Sequence, residues 1–379
     1  MSLHKILLKL HLWTGLAAAA IPLILGVTGS ILEWAPELAQ RFQVRPEDHA
    51  VPIAQMLESI DAVEPGARVE QVLLGKYRSD PYTFYMLGTA GKSGRHIYDV
   101  NPYTGAVLEG KPQAGSSFML ATRRLHTTLM MGKPGSLIVN FATLFLVFLL
   151  LTGTVLWWQR KIWRMRRGAS WWRINFDLHS ISGIYSALFI LIIALTGVMI
   201  HWRQMGDFLL KLSHQPVRRA AIHSRPPSPG TKPLTLEQVL ARADEKLPGV
   251  RTMAVLMPSR PSDSVLIVRV RADDAQSALK PQTFCSMDQY SGDVLAVDDP
   301  STRPWAVRLT SAVGSIHQGF FFGWPGRIVA CLGSTAIPLM AITGFLIWWR
   351  RKMAELRRSV KAQEQKWPEL EVASQRTVS

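Results

Sequence analysis

Apolar residues along the chain gather into four stretches, roughly Leu12–Leu32, Ser136–Trp158, Ile181–Trp202 and Ile328–Trp349. Each is about 20 residues long and almost uncharged, enough for a helix to cross a hydrocarbon layer of ~30 Å. Between the first and second stretches, and again between the third and fourth, the pattern changes. A short helical period near Ile53–Ala62 precedes strand-like runs at Val69–Leu74, Tyr82–Leu87 and His96–Val100. A second helix, Leu236–Leu247 opened by Thr235, precedes runs at Thr252–Met257, Val265–Val270 and Thr283–Met287. Each set ends in a matched turn, Asn101-Pro102-Tyr103-Thr104-Gly105 and Asp288-Gln289-Tyr290-Ser291-Gly292, whose Gly suits a positive φ. The pattern predicts an α-helical integral membrane protein with four transmembrane helices and two small α+β domains.

The helices repeat as well. His11-Leu12-Trp13, Thr28-Gly29 and Trp34 recur 168 residues later as His179-Ser180-Ile181, Thr196-Gly197 and Trp202. His126, Gly132, Pro134-Gly135, Thr152-Gly153 and Trp157-Trp158 recur 191 residues later as His317, Gly323, Pro325-Gly326, Thr343-Gly344 and Trp348-Trp349. The chain therefore reads as two internal repeats of helix, outer domain and helix. The segments are helix one (1–34), outer domain one (35–125), helix two with its lead-in (126–158), a basic loop (159–178), helix three (179–202), outer domain two (203–316), helix four with its lead-in (317–349) and a tail (350–379). A Pro-rich stretch, Arg225–Pro233, reads as a linker into the second outer domain. Each helix closes on Thr-Gly with Trp six positions after the Thr, which small-residue packing and interfacial anchoring explain for the most part, with clearance for a cofactor as the rival reading.

Net charge is +16, but its densest clusters flank the helices, so nucleic acid is not the expected partner. Arg160, Lys161, Arg164, Arg166, Arg167 and Arg173 fill the loop between helices two and three, and Arg350, Arg351, Lys352, Arg357, Arg358 and Lys361 follow helix four. The positive-inside rule places these segments, and with four spans both termini, in the cytoplasm. Lys5 and Lys9 before the first apolar stretch resemble a signal-peptide start, but the match to helix three favours a retained helix.

Four histidines duplicated at two depths, His11 with His179 and His126 with His317, suit axial ligation of two haems. A structural polar role for each is the plain alternative. Cys285 and Cys331 are the two cysteines and no Cys-x-x-Cys-His occurs, so the haem expected is b-type and non-covalent, two per chain. Zinc or copper is weaker, because no Cys, Asp or Glu stands at ligand spacing. His201 breaks the symmetry, having Glu33 as counterpart, and is open to ligand, substrate-iron or interfacial roles. Arg123, Arg124 and Arg203 are candidate propionate partners and equally good interfacial residues. Phe320, Phe321, Phe322 and Trp324 suit an apolar floor for a chelate or interface anchoring. No Gly-x-Gly-x-x-Gly or P-loop is present, so no nucleotide site is expected. No residue is expected to act directly as a catalyst.

The motifs Leu10-His11-Leu12-Trp13-Thr14-Gly15 and Asp177-Leu178-His179-Ser180-Ile181-Ser182-Gly183, the Thr-Gly and Trp helix ends and the two outer turns resemble the PepSY-associated transmembrane family, and within it the inner-membrane ferrisiderophore reductases. The resemblance covers nearly all of the chain before Lys361. It implies a di-haem reductase that carries electrons across the membrane to iron(III) held by a periplasmic siderophore, of which the hydroxamate ferrioxamine type is one candidate. The outer domains then resemble PepSY modules. The electron donor, whether quinol, reduced flavin or a soluble cytoplasmic partner, is left open. The alternatives are a haem-b subunit for another periplasmic redox enzyme and a non-redox PepSY sensor or protease regulator.

Overall fold

The computed structural model describes residues 2–38, 44–75, 78–88, 95–108, 114–216, 222–225, 228, 230–248, 250–271 and 282–376. The chain begins with α1 (Leu3–Ala18), α2 (Ala20–Leu32), a one-turn α3 (Ala35–Leu38) and α4 (Ile53–Val63). Strands β1 (Arg68–Leu73), β2 (Tyr82–Leu87) and β3 (Arg95–Val100) follow, then α5 (Ala114–Thr128), α6 (Lys133–Trp158), α7 (Trp171–His201), α8 (Arg203–Leu212) and α9 (Leu236–Lys246). The last elements are β4 (Val250–Leu256), β5 (Val265–Arg271), β6 (Thr283–Met287), β7 (Val294–Asp298), α10 (Trp305–His317) and α11 (Gly323–Arg376). They form two compact units. One, helical, comprises residues 1–33, 121–201 and 328–379; the other, mixed, comprises 34–120 and 202–327. Pro226, Pro227 and Pro229 of the expected linker lie outside the described residues.

Helices α6 and α7 and the Phe320–Val360 stretch are long and apolar enough to cross a membrane. The expected first span is instead a bent pair, α1 and α2 meeting at 65°. Pro22 accounts for the bend. It has no N–H for the Ala18 carbonyl, and its ring crowds that oxygen. Its counterpart in the repeat is Ile190, which is fully buried in an unbroken α7. Two expected boundaries are also corrected. α1 and α7 begin at Leu3 and Trp171, so His11 and His179 sit well inside their helices rather than at their starts. The tail expected after Trp349 continues α11 as far as Arg376, through a run of good helix formers with no proline before Pro368. Leu146, Leu150, Ile190, Ala194 and Ile337 form the buried centre of the helical unit.

The Gly-x-Pro-Gly segments start α6 and α11 in the same way. Gly132 and Gly323 both have φ +64, a conformation glycine adopts without strain. A Cβ on Gly135 or on Gly326 would strike the carbonyl oxygen of Thr128 or Gly319 respectively, so the last glycine permits backbone to pack on backbone.

The mixed unit corrects one feature of the expected architecture. The two α+β modules are not separate sheets. They join edge to edge through antiparallel β1 and β4, with Gln71 opposite Leu256 and Leu73 opposite Ala254, into a seven-stranded sheet ordered β3-β2-β1-β4-β5-β6-β7. Pairing the two edges removes unpaired backbone groups that either module alone would expose. Helices α4 and α9 share one core with the sheet, built on Met56, Ile60, Val72, Phe84, Val239, Val255, Ile267 and Cys285. Thr235 caps α9 through a reciprocal capping box with Gln238.

The matched turns form as expected. Gly105 has φ +72 and Gly292 φ +71. The Asn101 side chain accepts from the Tyr103 N–H, and Asp288 accepts from Tyr290 and Ser291. Burial alone would raise the Asp288 carboxyl, but backbone N–H groups of Ser291, Arg225 and Tyr290 outweigh it and hold the group below the usual carboxylate range.

Candidate functional site

His11, His179 and His126 are seated in the same way. His11 on α1 places Nδ1 2.9 Å from the Thr152 hydroxyl on α6. His179 on α7 places Nδ1 3.0 Å from the Thr343 hydroxyl on α11 and 3.1 Å from the Met340 carbonyl. His126 on α5 places Nδ1 2.8 Å from the Thr28 hydroxyl on α2. Each threonine also donates to the carbonyl four residues earlier in its own helix: Thr28 to Ile24 at 2.7 Å, Thr152 to Phe148 at 2.8 Å and Thr343 to Leu339 at 2.7 Å. A carbonyl only accepts, so the hydroxyl proton is committed there and the oxygen accepts from imidazole Nδ1–H. That fixes the tautomer whose Nε2 keeps its lone pair, the form in which histidine binds a metal.

The glycine after each threonine completes the seat. A Cβ on Gly29, Gly153 or Gly344 would come within 3.3, 3.2 or 3.1 Å of the Cε1 atom of His126, His11 or His179. The Thr-Gly helix ends are therefore histidine seats, a role that their reading as small-residue packing had missed. In the first half the arrangement is reciprocal, since α1 and α6 supply one seat and α5 and α2 the other.

His11 and His179 both line a cavity of about 280 Å³ in the helical unit. This lies near the lower end of the ~300–1,000 Å³ usual for small-molecule and cofactor sites. Gly15 and Gly183, each one turn beyond its histidine, line it too, as do Gly153 and Gly344. Its polar lining includes His4, Arg160 and Arg351. The two arginines were read from sequence as topological charge only, yet the shift of 191 relating Trp157-Trp158 to Trp348-Trp349 also relates Arg160 to Arg351. Applying the repeat beyond the helix ends would have found them. Arg160 lies over the Phe176 ring at 5.4 Å. No group of three or more His, Cys, Asp or Glu side chains able to hold a bare metal ion occurs among the described residues.

Polar side chains beside His179 hold α7 to α11. Buried Asn175 donates from Nδ2 to the Thr343 carbonyl at 3.0 Å, so Asn175 and His179, one turn apart, both grip Thr343. Fully buried Asp177 pairs with Arg173 at 2.9 Å. Sequence reasoning had not singled out Asn175, and had named Asp177 only as the first residue of the motif around His179.

His201 faces the Gly197 carbonyl with Nδ1 at 3.2 Å and the Thr127 carbonyl with Nε2 at 3.1 Å, so both ring nitrogens already meet acceptors. Arg123, Arg124 and Arg203 are exposed. His317 closes α10 in the mixed unit, whereas His126 belongs to the helical unit. Of the aromatic residues after His317, Phe320 and Trp324 stack against the buried Arg327 guanidinium at 4.8 and 4.6 Å, with Trp34 at 5.2 Å. Arg327 also makes a two-pronged bond to Glu37, at 2.6 and 2.8 Å.

Residues 8–351 match the sequence pattern of the PepSY-associated TM region. The chain belongs to the PepSY-associated TM family. The matched span holds all four duplicated histidines, their threonine seats and both cavity arginines, so the site lies within what defines the family rather than in an appendage. An uncharacterized protein of Pseudomonas aeruginosa is similar to this chain, 30% identical over 251 residues that cover 60% of this chain and 62% of that protein. The chain therefore spans less than two thirds of that relative's length.

Proposed function

We propose that this PepSY-associated membrane protein binds two b-type haems and passes electrons across the bacterial inner membrane to iron(III) held by a siderophore outside, releasing iron(II). One observation carries the reading. His11 and His179 line a single cavity, and each has its Nδ1–H engaged by a threonine, leaving Nε2 as a metal ligand. The residues fit a haem in three further respects. Two imidazoles suffice for a metal whose four equatorial nitrogens come from a macrocycle. Glycines at four places in the lining let a flat ring approach the helix backbone. Arg160 and Arg351 supply two cations for the propionates.

His11 and His179 would hold a haem there, and it would supply reversible one-electron exchange. The chain's own residues do the remaining work. Thr152 and Thr343 hold the ring tautomers, Asn175 keeps α7 and α11 in register, and the aliphatic lining excludes water. His126, seated on Thr28, and His317 are assigned to the second centre by the sequence repeat. The 22 residues from His179 to His201 span ~33 Å of helix at ~1.5 Å per residue, so two centres at different depths are needed to cross. Each iron(III) reduced takes one electron, drawn from a quinol, a reduced flavin or a soluble cytoplasmic protein. A hydroxamate chelate is one candidate substrate. The basic segments after α6 and within α11 orient both termini to the cytoplasm.

Purified protein should show a reduced-minus-oxidised b-haem spectrum, with two haems per chain that acid–acetone removes completely. Dithionite-reduced protein in vesicles, cytoplasmic ends inside, should then reduce an impermeant ferric hydroxamate added outside. Absence of haem from protein made with ample haem supply overturns the reading. So does reoxidation only when the chelate is sealed with the cytoplasmic face.

A further inference from the structure

The mixed unit holds a larger cavity than the histidine site, about 620 Å³, at the seam between its two modules. Residues of the sheet, α4 and α9 line it, and it opens to solvent. Most core-facing positions along these strands are apolar: Val265 and Ile267 on β5, Val255 on β4, Phe84 on β2. Toward the cavity the row changes character. Arg269 on β5 and Thr252 on β4 stand directly opposite one another, 1% and 6% exposed, and both line the cavity with Tyr82 and Arg251.

The internal repeat supplies a control. In β1 and β2 the pair just before the bulge is Val69 opposite Met86; in β4 and β5 the pair just before the corresponding bulge is Thr252 opposite Arg269. The first module fills these places with two apolar side chains. The fold therefore does not require a hydroxyl and a guanidinium there. The Thr252 hydroxyl, moreover, is buried without a hydrogen-bond partner among the described residues. Buried polar groups are almost always satisfied, and an orphan calls for an explanation.

The direction of the unmet bonding identifies the ligand. Carboxylates in the wall are already engaged, Asp244 with Arg269 at 2.8 Å and Glu237 with the Ala54 N–H at 3.0 Å. Burial pushes the Tyr82 phenol up, so it stays a neutral donor at physiological pH. Tyr82 and Thr252 thus bring hydroxyls, and Arg251, which also donates to the Gly75 carbonyl, and Arg269 bring positive charge, beside an apolar wall that includes Leu74 and Leu240. We infer that this cavity is a binding site for a small organic carboxylate with an apolar body, its charged end held by Arg251, Arg269 and the Thr252 hydroxyl. Guanidinium and hydroxyl donors match a carboxylate in both charge and geometry. The site is separate from the histidine cavity and does not depend on the electron-transfer reading.

The test uses the full chain in lipid nanodiscs, with 4-fluorophenylacetate as probe, its uncharged amide as control and ¹⁹F line broadening as readout. Saturable binding of the carboxylate, and at least tenfold weaker binding of the amide, is expected. Thr252→Val should weaken carboxylate binding about tenfold. The double substitution T252V/R269M installs the pair that the first module already carries, and it should abolish binding while thermal unfolding of the unit stays cooperative. Should that variant not fold, Thr252→Val together with Tyr82→Phe serves in its place with the same expected loss. Equal binding of acid and amide, unchanged binding by the substituted protein, or no saturable binding by folded wild type at millimolar probe each overturns the inference.

Discussion

The Nδ1 of His11 lies 2.9 Å from the Thr152 hydroxyl, whose own proton goes to the Phe148 carbonyl. This chain of two bonds determines which imidazole nitrogen remains basic. Valine is close to threonine in shape and cannot accept the bond, so Thr152→Val should let the ring turn or change tautomer. Loss of such an outer partner typically costs about 10–100-fold in affinity for the metal group. Haem content at the inner centre should fall and its midpoint potential should shift, while Thr152→Ser stays near wild type. Unchanged stoichiometry and potential in Thr152→Val would refute the positioning role.

His179→Ala should remove the inner haem signal and spare the outer one, because His11 and His179 line one cavity while His126 has its own seat on Thr28. His126→Ala should do the reverse. Low-temperature difference spectra that resolve the two α-bands decide the matter, and loss of the same band in both variants would contradict the pairing.

Gly26 tests the packing beneath the site. A Cβ there would come within 2.6 Å of Pro338 Cδ and 2.7 Å of the Ser334 carbonyl, so Gly26→Ala must push α2 away from α11. Overpacking of this kind typically costs ~1–3 kcal/mol. Gly333→Ala is the control, since its Cβ would meet only ordinary contacts at 3.7 Å and beyond. Thermal unfolding in detergent should separate the two; equal midpoints would mean that the interface yields freely.

Much of this was legible in the sequence, and the misses share a cause. The strand runs at Tyr82–Leu87 and Thr283–Met287 fell where expected because alternation and turn residues bound them tightly. The joining of β1 to β4 was not readable, since Arg68–Leu73 has the same pattern whether it lies at an edge or in the middle of a sheet. Pro22 is a helix breaker within the first apolar stretch, but the match of that stretch to the third was weighed only for whether the helix is retained. Thr152-Gly153 was ambiguous because seating a histidine and packing two helices call for the same small residues. Arg160 and Arg351 were hidden inside basic clusters that topology alone explained.

Arg327→Lys probes the mixed unit. Arg327 is 6% exposed at its side chain, grips Glu37 with two prongs and stacks on Trp34, Phe320 and Trp324. Lysine keeps the charge but loses the fork and most of the stacking. Charge-assisted bonds of this kind contribute ~1.5–3 kcal/mol, and Glu37 is partly exposed, so a loss of ~1–2 kcal/mol is expected. Chemical denaturation followed by tryptophan fluorescence measures it. A change within error would show that charge alone is enough.

Glu64 in the first module bonds Tyr98, whose hydroxyl donates at 2.6 Å, and His96, through Nδ1 at 2.7 Å. Burial, together with the hydrogen bond and charge of Glu64, pushes the Tyr98 phenol up to about 12. An unfolded chain releases the same proton near ~10. The folded state therefore holds the proton more tightly than the unfolded one. Its contribution is complete below about pH 10 and is lost as pH rises toward 12, the unfolded chain being the first to ionise. Tyr98→Phe removes both the bond and the titration. Wild type should be more stable than Tyr98→Phe at pH 8, and the gap in unfolding midpoint should narrow between about pH 10 and 12. Absorbance at the phenolate band, taken as the difference between the two proteins, should place the missing titration near 12. A midpoint near 10, or a gap that does not change across that window, would mean that Glu64 does not hold the Tyr98 proton in the folded protein.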